Sequence, residues 1–215
     1  MTVVRTVYDF YDNEEPKLYE EYFEINGLKE GEYKSYHENG QLSVICNYVN
    51  GKKQGEYKEY HVEHKEDYKN EHGQLQEICN YVNGLREGYY KSYCSDGELL
   101  KMCNYLNGKL DGEYKKYYYE NGQLHEICNY VNGKLDGEYK KYYYENGQLQ
   151  EISNYVNGLK HGESKKYYKD GQLAEICNYF YNHPKGEYKS YHENGELKEI
   201  RKFPKNKQYS KIMHP

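Results

Sequence analysis

Cysteine is the most reactive residue type in this chain, and five of its six cysteines recur at one position of a repeated pattern. The pattern has the form Leu-x-Glu-Ile-Cys-Asn-Tyr, and its cysteines are Cys46, Cys79, Cys103, Cys128 and Cys177, with Ser153 in the place of a sixth. Equivalent positions of neighbouring hairpins lie about 9–10 Å apart, beyond the reach of a disulfide. We therefore expect reduced thiols that pack as small hydrophobic groups, and no metal site, because a linear row of ligands does not converge.

Histidines and acids form a second candidate cluster in the insertion His61–His72, which adds nine residues to one repeat. Its members His61, His64, His72, Glu63, Asp67 and Glu71 could bind a divalent metal. Their spacing matches no zinc template, and no cysteine accompanies them. A longer solvated hairpin or loop is the simpler interpretation, because extra length costs little there.

Interleaved tyrosine and lysine, as in Tyr114-Lys115-Lys116-Tyr117, could stack on and clamp single-stranded nucleic acid. Each lysine has acidic neighbours, however, such as Glu113, Glu120 and Glu126. The net charge of −5 and the pI of about 6.0 also give no long-range attraction to nucleic acid or to an anionic membrane. Cross-strand Lys–Glu pairs on a wet sheet face explain the pattern more simply, and both kinds of partner are disfavoured.

No combination of nucleophile, base and orienting group is unique in the chain. Every candidate residue recurs from repeat to repeat, whereas a catalytic residue normally occurs once. The glycine spacing serves turns rather than a phosphate-binding loop. We expect no enzyme activity, no catalytic residue and no cofactor.

The elements that position these residues follow from a repeated glycine. It falls at Gly31, Gly55, Gly88, Gly112, Gly137, Gly162 and Gly186, a period of about 24 residues with one insertion. Each unit has a run Gly-Glu-Tyr-Lys-x-Tyr, an Asn-Gly or Asp-Gly turn, the cysteine-bearing run and a second Asn-Gly. Short turns force antiparallel neighbours. The prediction is an all-β fold: an elongated, single-layer, twisted antiparallel sheet of tandem β-hairpin repeats.

The strand period of two assigns the residues of one cysteine-bearing run to two faces. It places Leu124, Glu126, Cys128 and Tyr130 on one face, and His125, Ile127, Asn129 and Val131 on the other. Neither set is purely polar or apolar, so both faces should be partly wet. We expect the residue after the leucine to be exposed, because its type varies. The constant asparagine, Asn129 here, is expected to form side-chain hydrogen bonds along the array.

The ends of the array deviate from the repeat, as terminal repeats do. We predict an N-terminal cap or degenerate repeat over residues 1–30, with Asn13 near one turn, a continuous array over 31–203 and a basic tail over 204–215. Arg201, Lys202 and Pro204 suit a blunted sheet edge. Because an open sheet has two edges, a homodimer through sheet edges or ends is expected.

Composition gives a prediction about source and compartment. The chain holds 32 tyrosines but a single alanine, Ala174, and lysine far outnumbers arginine. This bias indicates an AT-rich genome, such as that of a low-GC bacterium or a giant DNA virus. The chain begins without a basic start and apolar run, and no window is long and apolar enough to span a bilayer. We expect a cytoplasmic protein, in the host cytoplasm or the virion if viral.

The pattern Gly-x-Tyr…Tyr-x-x-Asn-Gly-x-Leu…Tyr-x-Asn-Gly-Lys-x-x-Gly resembles the MORN (membrane occupation and recognition nexus) repeat. It is most similar to the variant form of bacterial antitoxin-like proteins and of giant-virus proteins, and the resemblance covers about residues 19–203. It implies antiparallel hairpin arrays that serve as scaffolds and are often dimeric. The family name implies membrane or phospholipid binding, but many members look like protein-binding scaffolds.

The leading hypothesis is a non-enzymatic scaffold that binds a protein partner through a tyrosine-rich sheet face. Tyrosine offers large contact area at low entropy cost, and the candidate partner-binding residues are Tyr114, Tyr118, Tyr139 and Tyr143. Two alternatives are an antitoxin-like or host-factor inhibitor protein, and association with a lipid or membrane surface. Functional features are expected where the unit is broken: the insertion His61–His72, the tyrosine triplets at 117–119 and 142–144, and the basic tail.

Overall fold

The chain forms β-strands throughout the part that the structure describes. A computed structural model describes residues 2–9, 17–62 and 73–204, which hold 19 strands and no helix. They belong to two compact units, Met1–Leu110 and Asp111–Pro215. Over the described ranges, no helix is long and apolar enough to cross a bilayer.

The first unit contains ten strands, and each pairs antiparallel with its neighbour in the chain. They are β1 (Thr2–Asp9), β2 (Lys17–Ile25), β3 (Leu28–Tyr36), β4 (Leu42–Val49), β5 (Lys52–Lys53), β6 (Gly55–Tyr60), β7 (Leu75–Val82), β8 (Leu85–Tyr93), β9 (Leu99–Leu106) and β10 (Lys109–Leu110).

The second unit contains nine strands with the same antiparallel pairing. They are β11 (Gly112–Tyr117), β12 (Leu124–Val131), β13 (Lys134–Leu135), β14 (Gly137–Tyr142), β15 (Leu149–Val156), β16 (Leu159–Tyr167), β17 (Leu173–Phe180), β18 (His183–Tyr191) and β19 (Leu197–Phe203). The predicted all-β class and the tandem antiparallel hairpins are confirmed.

The glycine that begins each repeat marks a backbone irregularity. Gly112 has φ 96° and Gly137 has φ 100°, in the left-handed region where a side chain would be strained. The two-residue strand β13 ends just before Gly137, and β14 begins at it, so the irregularity interrupts one long strand. The glycines therefore recur because the backbone at these positions has positive φ.

The two kinds of hairpin turn use Asn-Gly in different ways. In the turn after β12, Asn132 has φ 51° and Gly133 has φ 80°, the double positive φ of a type I′ turn. In the turn after β11, Gly122 has φ 62°, while Asn121 acts through its side chain. Its Oδ1 accepts a hydrogen bond of 3.0 Å from the backbone N–H of Gln123. The turns are where the sequence predicts them, but only one kind needs asparagine for its φ.

A β-bulge near the start of β12 changes which residues share a face of the sheet. Lys116 pairs with Glu126 and Tyr117 pairs with Leu124, so His125 is an extra residue. The prediction that Leu124 shares the face of Glu126 is therefore wrong, because strict alternation fails at the bulge.

The residue after the leucine was also expected to be exposed, and this is wrong for most repeats. His125 and its five equivalents Ser43, Gln76, Leu100, Gln150 and Ala174 are half-buried, and Lys198 alone among the seven is exposed. The reason at His125 is packing: its ring centroid lies 4.4 Å from that of Tyr118.

Some predictions fall on residues outside the described ranges. These are Asn13, the insertion from residue 63 to residue 72, and the basic tail beyond Pro204. Arg201 and Lys202 lie within the described ranges, on the last strand β19, and both are exposed.

Candidate binding surface

On one side of the sheet in each unit, tyrosines of one strand lie beside cysteines of the next strand, and we call this side the tyrosine–cysteine face. In the first unit it consists of the register pairs Tyr33–Cys46, Tyr57–Cys79 and Tyr90–Cys103. In the second unit it consists of Tyr114–Cys128, Tyr139–Ser153 and Ser164–Cys177. The cysteines and Ser153 are at most 7% exposed, and the cysteines are free thiols. The expectation of buried thiols packed as small hydrophobes is confirmed.

In the one repeat with serine in place of cysteine, the buried serine hydroxyl finds a hydrogen-bond partner on the same face. Ser153 pairs with Ser164, which itself stands where other repeats have tyrosine. Their Oγ atoms lie 2.8 Å apart, and Ser153 also donates to Glu151 at 2.8 Å. The buried hydroxyls are thus paired with each other, as buried polar groups require.

Tyr114 and Tyr139, two of the four candidate binding residues, lie on this face. Each ring packs edge-on against a tyrosine of the next strand, with centroids 5.6 Å apart for Tyr114–Tyr130 and 5.9 Å for Tyr139–Tyr155. The Tyr139 hydroxyl donates to Glu126 at 3.0 Å. Burial, and then the charge of Glu126, raises the pKa of Tyr139. Both rings are half-buried.

Tyr118 and Tyr143, the other two candidates, lie in the loops that follow β11 and β14. The Tyr118 hydroxyl donates to the backbone carbonyl of Tyr142, and that of Tyr143 donates to Tyr167, both at 2.7 Å. Each bond joins one repeat to the next. The four candidates therefore form two rows, a strand row and a loop row.

Each tyrosine triplet also contributes one exposed ring. Tyr119 is 56% exposed and Tyr144 is 38% exposed. The Tyr144 ring stands edge-on to that of Tyr118, with centroids 5.2 Å apart. The triplets therefore add accessible aromatic surface next to the loop row.

The first lysine of each Tyr–Lys pattern, Lys115 or Lys140, faces away from the tyrosine–cysteine face and pairs with a glutamate of its own strand. Lys115 lies 2.6 Å from Glu113, and Lys140 lies 2.5 Å from Glu138. The hydrogen bond that Lys115 donates to Glu113 raises the pKa of Lys115. The prediction of cross-strand pairs is wrong for these lysines, because residues two apart in a strand share a face. The prediction is confirmed at Lys160–Glu151 and, for the second lysine of the pattern, at Lys166–Glu175.

The constant asparagine does not form the expected ladder at Asn129. Its Nδ2 donates to the backbone carbonyl of Asp136 at 3.2 Å, within one hairpin. The bond between repeats comes from the residue before the unit's glycine, which sequence reasoning missed. Asp136 Oδ2 accepts from the backbone N–H of Asn157 at 3.0 Å, and Asp111 does the same for Asn132 at 2.9 Å. We call this bond the turn clamp.

The turn clamp has a signal in the sequence. An acid or glutamine precedes the glycine in the first five of the seven units, at Glu30, Gln54, Glu87, Asp111 and Asp136. Each of the five accepts from the first backbone N–H of the following Asn-Gly turn. The sixth unit has His161 instead, and a groove lies beside it.

The described part of the histidine insertion has a structural contact. His61 Nε2 lies 3.0 Å from the backbone carbonyl of Tyr93, as His37 Nε2 lies 2.9 Å from that of Tyr60. Within the described ranges, no group of three or more His, Cys, Asp or Glu residues could hold a metal ion. The other metal candidates of the insertion lie outside those ranges.

Comparisons with known proteins bear on the repeat itself. The comparison with curated proteins found no match. Among solved structures, the crystal structure of the GtfA/B complex bound to UDP and GlcNAc is similar over 59% of this chain and 22% of that chain, with 14% identity and a TM-score of 0.18. So low a TM-score carries no argument.

The model of the MORN repeat variant family matches five segments of the chain, residues 29–50, 110–132, 135–157, 160–180 and 184–203. Together they make up just over half of its length. They include the turn clamps of Asp111 and Asp136 and all four candidate tyrosines. The chain therefore belongs to the MORN repeat variant family.

Proposed function

We propose that this protein is a non-enzymatic scaffold that binds a protein partner through the tyrosines of its second unit. The observation that carries the proposal is the pair of tyrosine rows. The hydroxyls of Tyr118, Tyr139 and Tyr143 are bonded within the protein, so their rings are held in fixed orientations. Rings fixed in this way offer apolar contact area with little entropy left to lose on binding.

The family supports the same proposal at a coarser level. MORN repeats commonly serve as scaffolds for interaction with proteins or membranes, and the family is non-catalytic. The balance of charge favours the protein over the membrane. Glu113 and Glu138 pair with Lys115 and Lys140, and the net charge of −5 gives no long-range attraction to anionic lipid.

The test compares two fourfold variants of the full chain in partner capture from the native source. The Phe variant at positions 114, 118, 139 and 143 keeps every ring, whereas the Ala variant removes all four. We expect the Ala variant to lose the partner, and the Phe variant to bind it more weakly than the wild type because its rings lose the hydroxyl bonds that orient them. Far-UV circular dichroism and urea unfolding check the fold of both.

The exposed pair Tyr119 and Tyr144 provides a second measurement if the Ala variant is unstable. The variant Y119S/Y144S leaves the packed rings in place, and we expect it to weaken capture of the same partner at least tenfold. Partner binding that survives both the Ala variant and this pair would contradict the proposed surface.

The finer alternatives predict different outcomes. An antitoxin-like or host-factor inhibitor would capture a single tight partner and would rescue cells from that partner's toxicity on co-expression. A membrane-surface protein would float with anionic liposomes and would lose this association in high salt. Flotation without protein capture would overturn the proposal.

A further inference from the structure

The repeat is broken at one turn of the second unit. Where other repeats have Asn-Gly, this turn has Tyr181-Asn182, and Tyr181 has φ 47°. Among the described residues, Tyr181 is the one residue other than asparagine or glycine with positive φ. The left-handed region costs such a residue about 1–2 kcal/mol. Backbone strain of this kind is concentrated at functional sites.

The turn clamp is replaced at the same place. His161 occupies the position of the clamp acid Asp136 in the preceding repeat. Its ring packs on Phe180 and Tyr181, with centroids 5.3 and 4.8 Å away. Its Nδ1 atom is buried and has no hydrogen-bond partner among the described residues. An unpaired buried nitrogen is costly, so a turn of the ring that brings Nδ1 to a ligand group would be favoured.

A groove of about 550 Å³ opens beside the His161 side chain, and we call it the His161 groove. It is lined by His161, Gly162, Asn178, Tyr179, Phe180, Lys185 and Gly186. Its volume lies within the range of ligand pockets. The ring of Phe180 supplies an apolar wall, and the Lys185 ammonium lies 5.8 Å from its centroid.

The charge of the groove is reversed relative to the other repeats. The position before the unit's glycine holds an acid or glutamine five times, then His161 and Lys185. The nearest strand acids are already neutralised, because Glu163 pairs with Lys165 and Glu187 pairs with Lys189. The groove therefore presents nitrogen donors beside an aromatic wall, which suits an anionic group with an apolar neighbour.

We propose that the His161 groove binds an aspartate or glutamate side chain of a protein partner, with an adjacent apolar side chain against Phe180. The carboxylate would accept a hydrogen bond from the Lys185 ammonium and, once the His161 ring turns its Nδ1–H toward the groove, a second one from His161. This inference rests on the proposed scaffold function and names a second contact point for the same partner.

The experiment uses the full chain and two peptides that differ in one group. Acetyl-Leu-Glu-Phe-amide carries the carboxylate, and acetyl-Leu-Gln-Phe-amide replaces it with a neutral amide of the same shape. Titration of the ¹⁵N-labelled protein should shift the amide signals of His161, Gly162 and Lys185 with the first peptide. The affinity for the second peptide should be at least tenfold lower.

Two variants place the binding at the groove. H161D installs the acid that Asp136 provides in the preceding repeat, and K185E reverses the charge of the second donor. Each should lower the affinity for the glutamate peptide at least tenfold. K198E makes the same charge change at an exposed position and should bind as the wild type does. Since the two peptides are compared on the wild type, the test does not depend on the folding of a variant.

Three results would overturn the inference: no groove shifts at millimolar glutamate peptide, equal affinity for both peptides, or unchanged binding by both H161D and K185E. The proposed function fails separately. If the partner were lost by the tyrosine Ala variant but kept by H161D and K185E, the groove proposal alone would be refuted. If the peptide bound at the groove and the tyrosine variants did not affect partner capture, the proposed tyrosine surface alone would be refuted.

Discussion

At the scale of single residues, the fold depends on a small side chain opposite a large one. Each cysteine of the tyrosine–cysteine face lies across from a tyrosine or, at Ser164, from another small residue. Cys79 is 0% exposed, so there is no room for a bulkier side chain without displacing a ring. Burial raises the pKa of Cys79 to about 11 and that of Cys128 to about 12.

These thiols should be unreactive in the native protein and should limit its alkaline stability. A rise in pKa from 9.0 to about 11 lowers the thiolate fraction at pH 8 about 100-fold. Because the folded state holds these protons more tightly, their contribution to stability is full below about pH 9 and is lost as the pH rises toward 11–12. We expect the urea midpoint to fall across that window.

The measurement is iodoacetamide labelling at pH 8, followed by mass spectrometry of the folded and the urea-unfolded chain. K198C, which adds a thiol at an exposed position, serves as the reactive control. If the cysteines of the tyrosine–cysteine face were labelled in the folded chain as fast as this added thiol, they would not be buried.

At the scale of elements, neighbouring hairpins of the second unit are attached by several repeated interactions. They include the strand register, the loop tyrosine hydroxyl, a backbone bond such as that from the Gly158 N–H to the Leu135 carbonyl, and the turn clamp. The clamp acts on a backbone N–H that the type I′ turn leaves without a partner in its own hairpin. It therefore orients the turn relative to the preceding repeat, which register alone does not do.

Removal of one clamp acid should weaken the second unit measurably. D136A leaves the Asn157 N–H without its acceptor and should lower the free energy of unfolding by about 1 kcal/mol. D136N keeps an acceptor oxygen and should cost less than about half of that. E138A removes an exposed ion pair two residues away and should cost at most about 0.5 kcal/mol. Urea unfolding measures all three, and equal losses for D136A and E138A would refute the clamp.

The sequence predicted the elements better than the contacts between them. The Asn-Gly pairs and the recurring glycine predicted strand and turn positions, because each depends on local backbone geometry. The extra residue at His125 could not be predicted, since a bulge depends on how two strands pair. The clamp from Asp136 to Asn157 spans 21 residues and appears only when neighbouring repeats are placed side by side. The division of the candidate tyrosines into a strand row and a loop row could not be predicted either, because loop and strand tyrosines look alike in sequence.

At the scale of the whole molecule, the last strand of the second unit presents an open edge. β19 pairs with β18, and within the described residues it has no partner strand on its other side. Leu197 is 50% exposed and Ile200 is 47% exposed on this strand. Arg201 and Lys202 give the edge some protection, but an unpaired edge still favours association.

We expect homodimers through this edge at high concentration. Light scattering should give twice the chain mass of 25.9 kDa. The variant L197K/I200K adds charge to the edge strand and should return the protein to the monomer, while K198Q in the same strand should not. A wild type that stays strictly monomeric at millimolar concentration would contradict the expectation.

The turn clamp has a consequence for how such a chain can change in length. Every clamp joins a fixed position of one repeat to a fixed position of the next, as Asp111 joins Asn132 and Asp136 joins Asn157. In a duplicated copy of residues 112–136 inserted in frame, the turn would find a clamp acceptor in the preceding repeat. The last residue of the copy would supply the acceptor for the turn of the following repeat. No bond would be left unmatched. Whole repeats can therefore be gained or lost by duplication and deletion without any compensating substitution, and the near-identity of the two repeats that begin at Gly112 and Gly137 fits such growth.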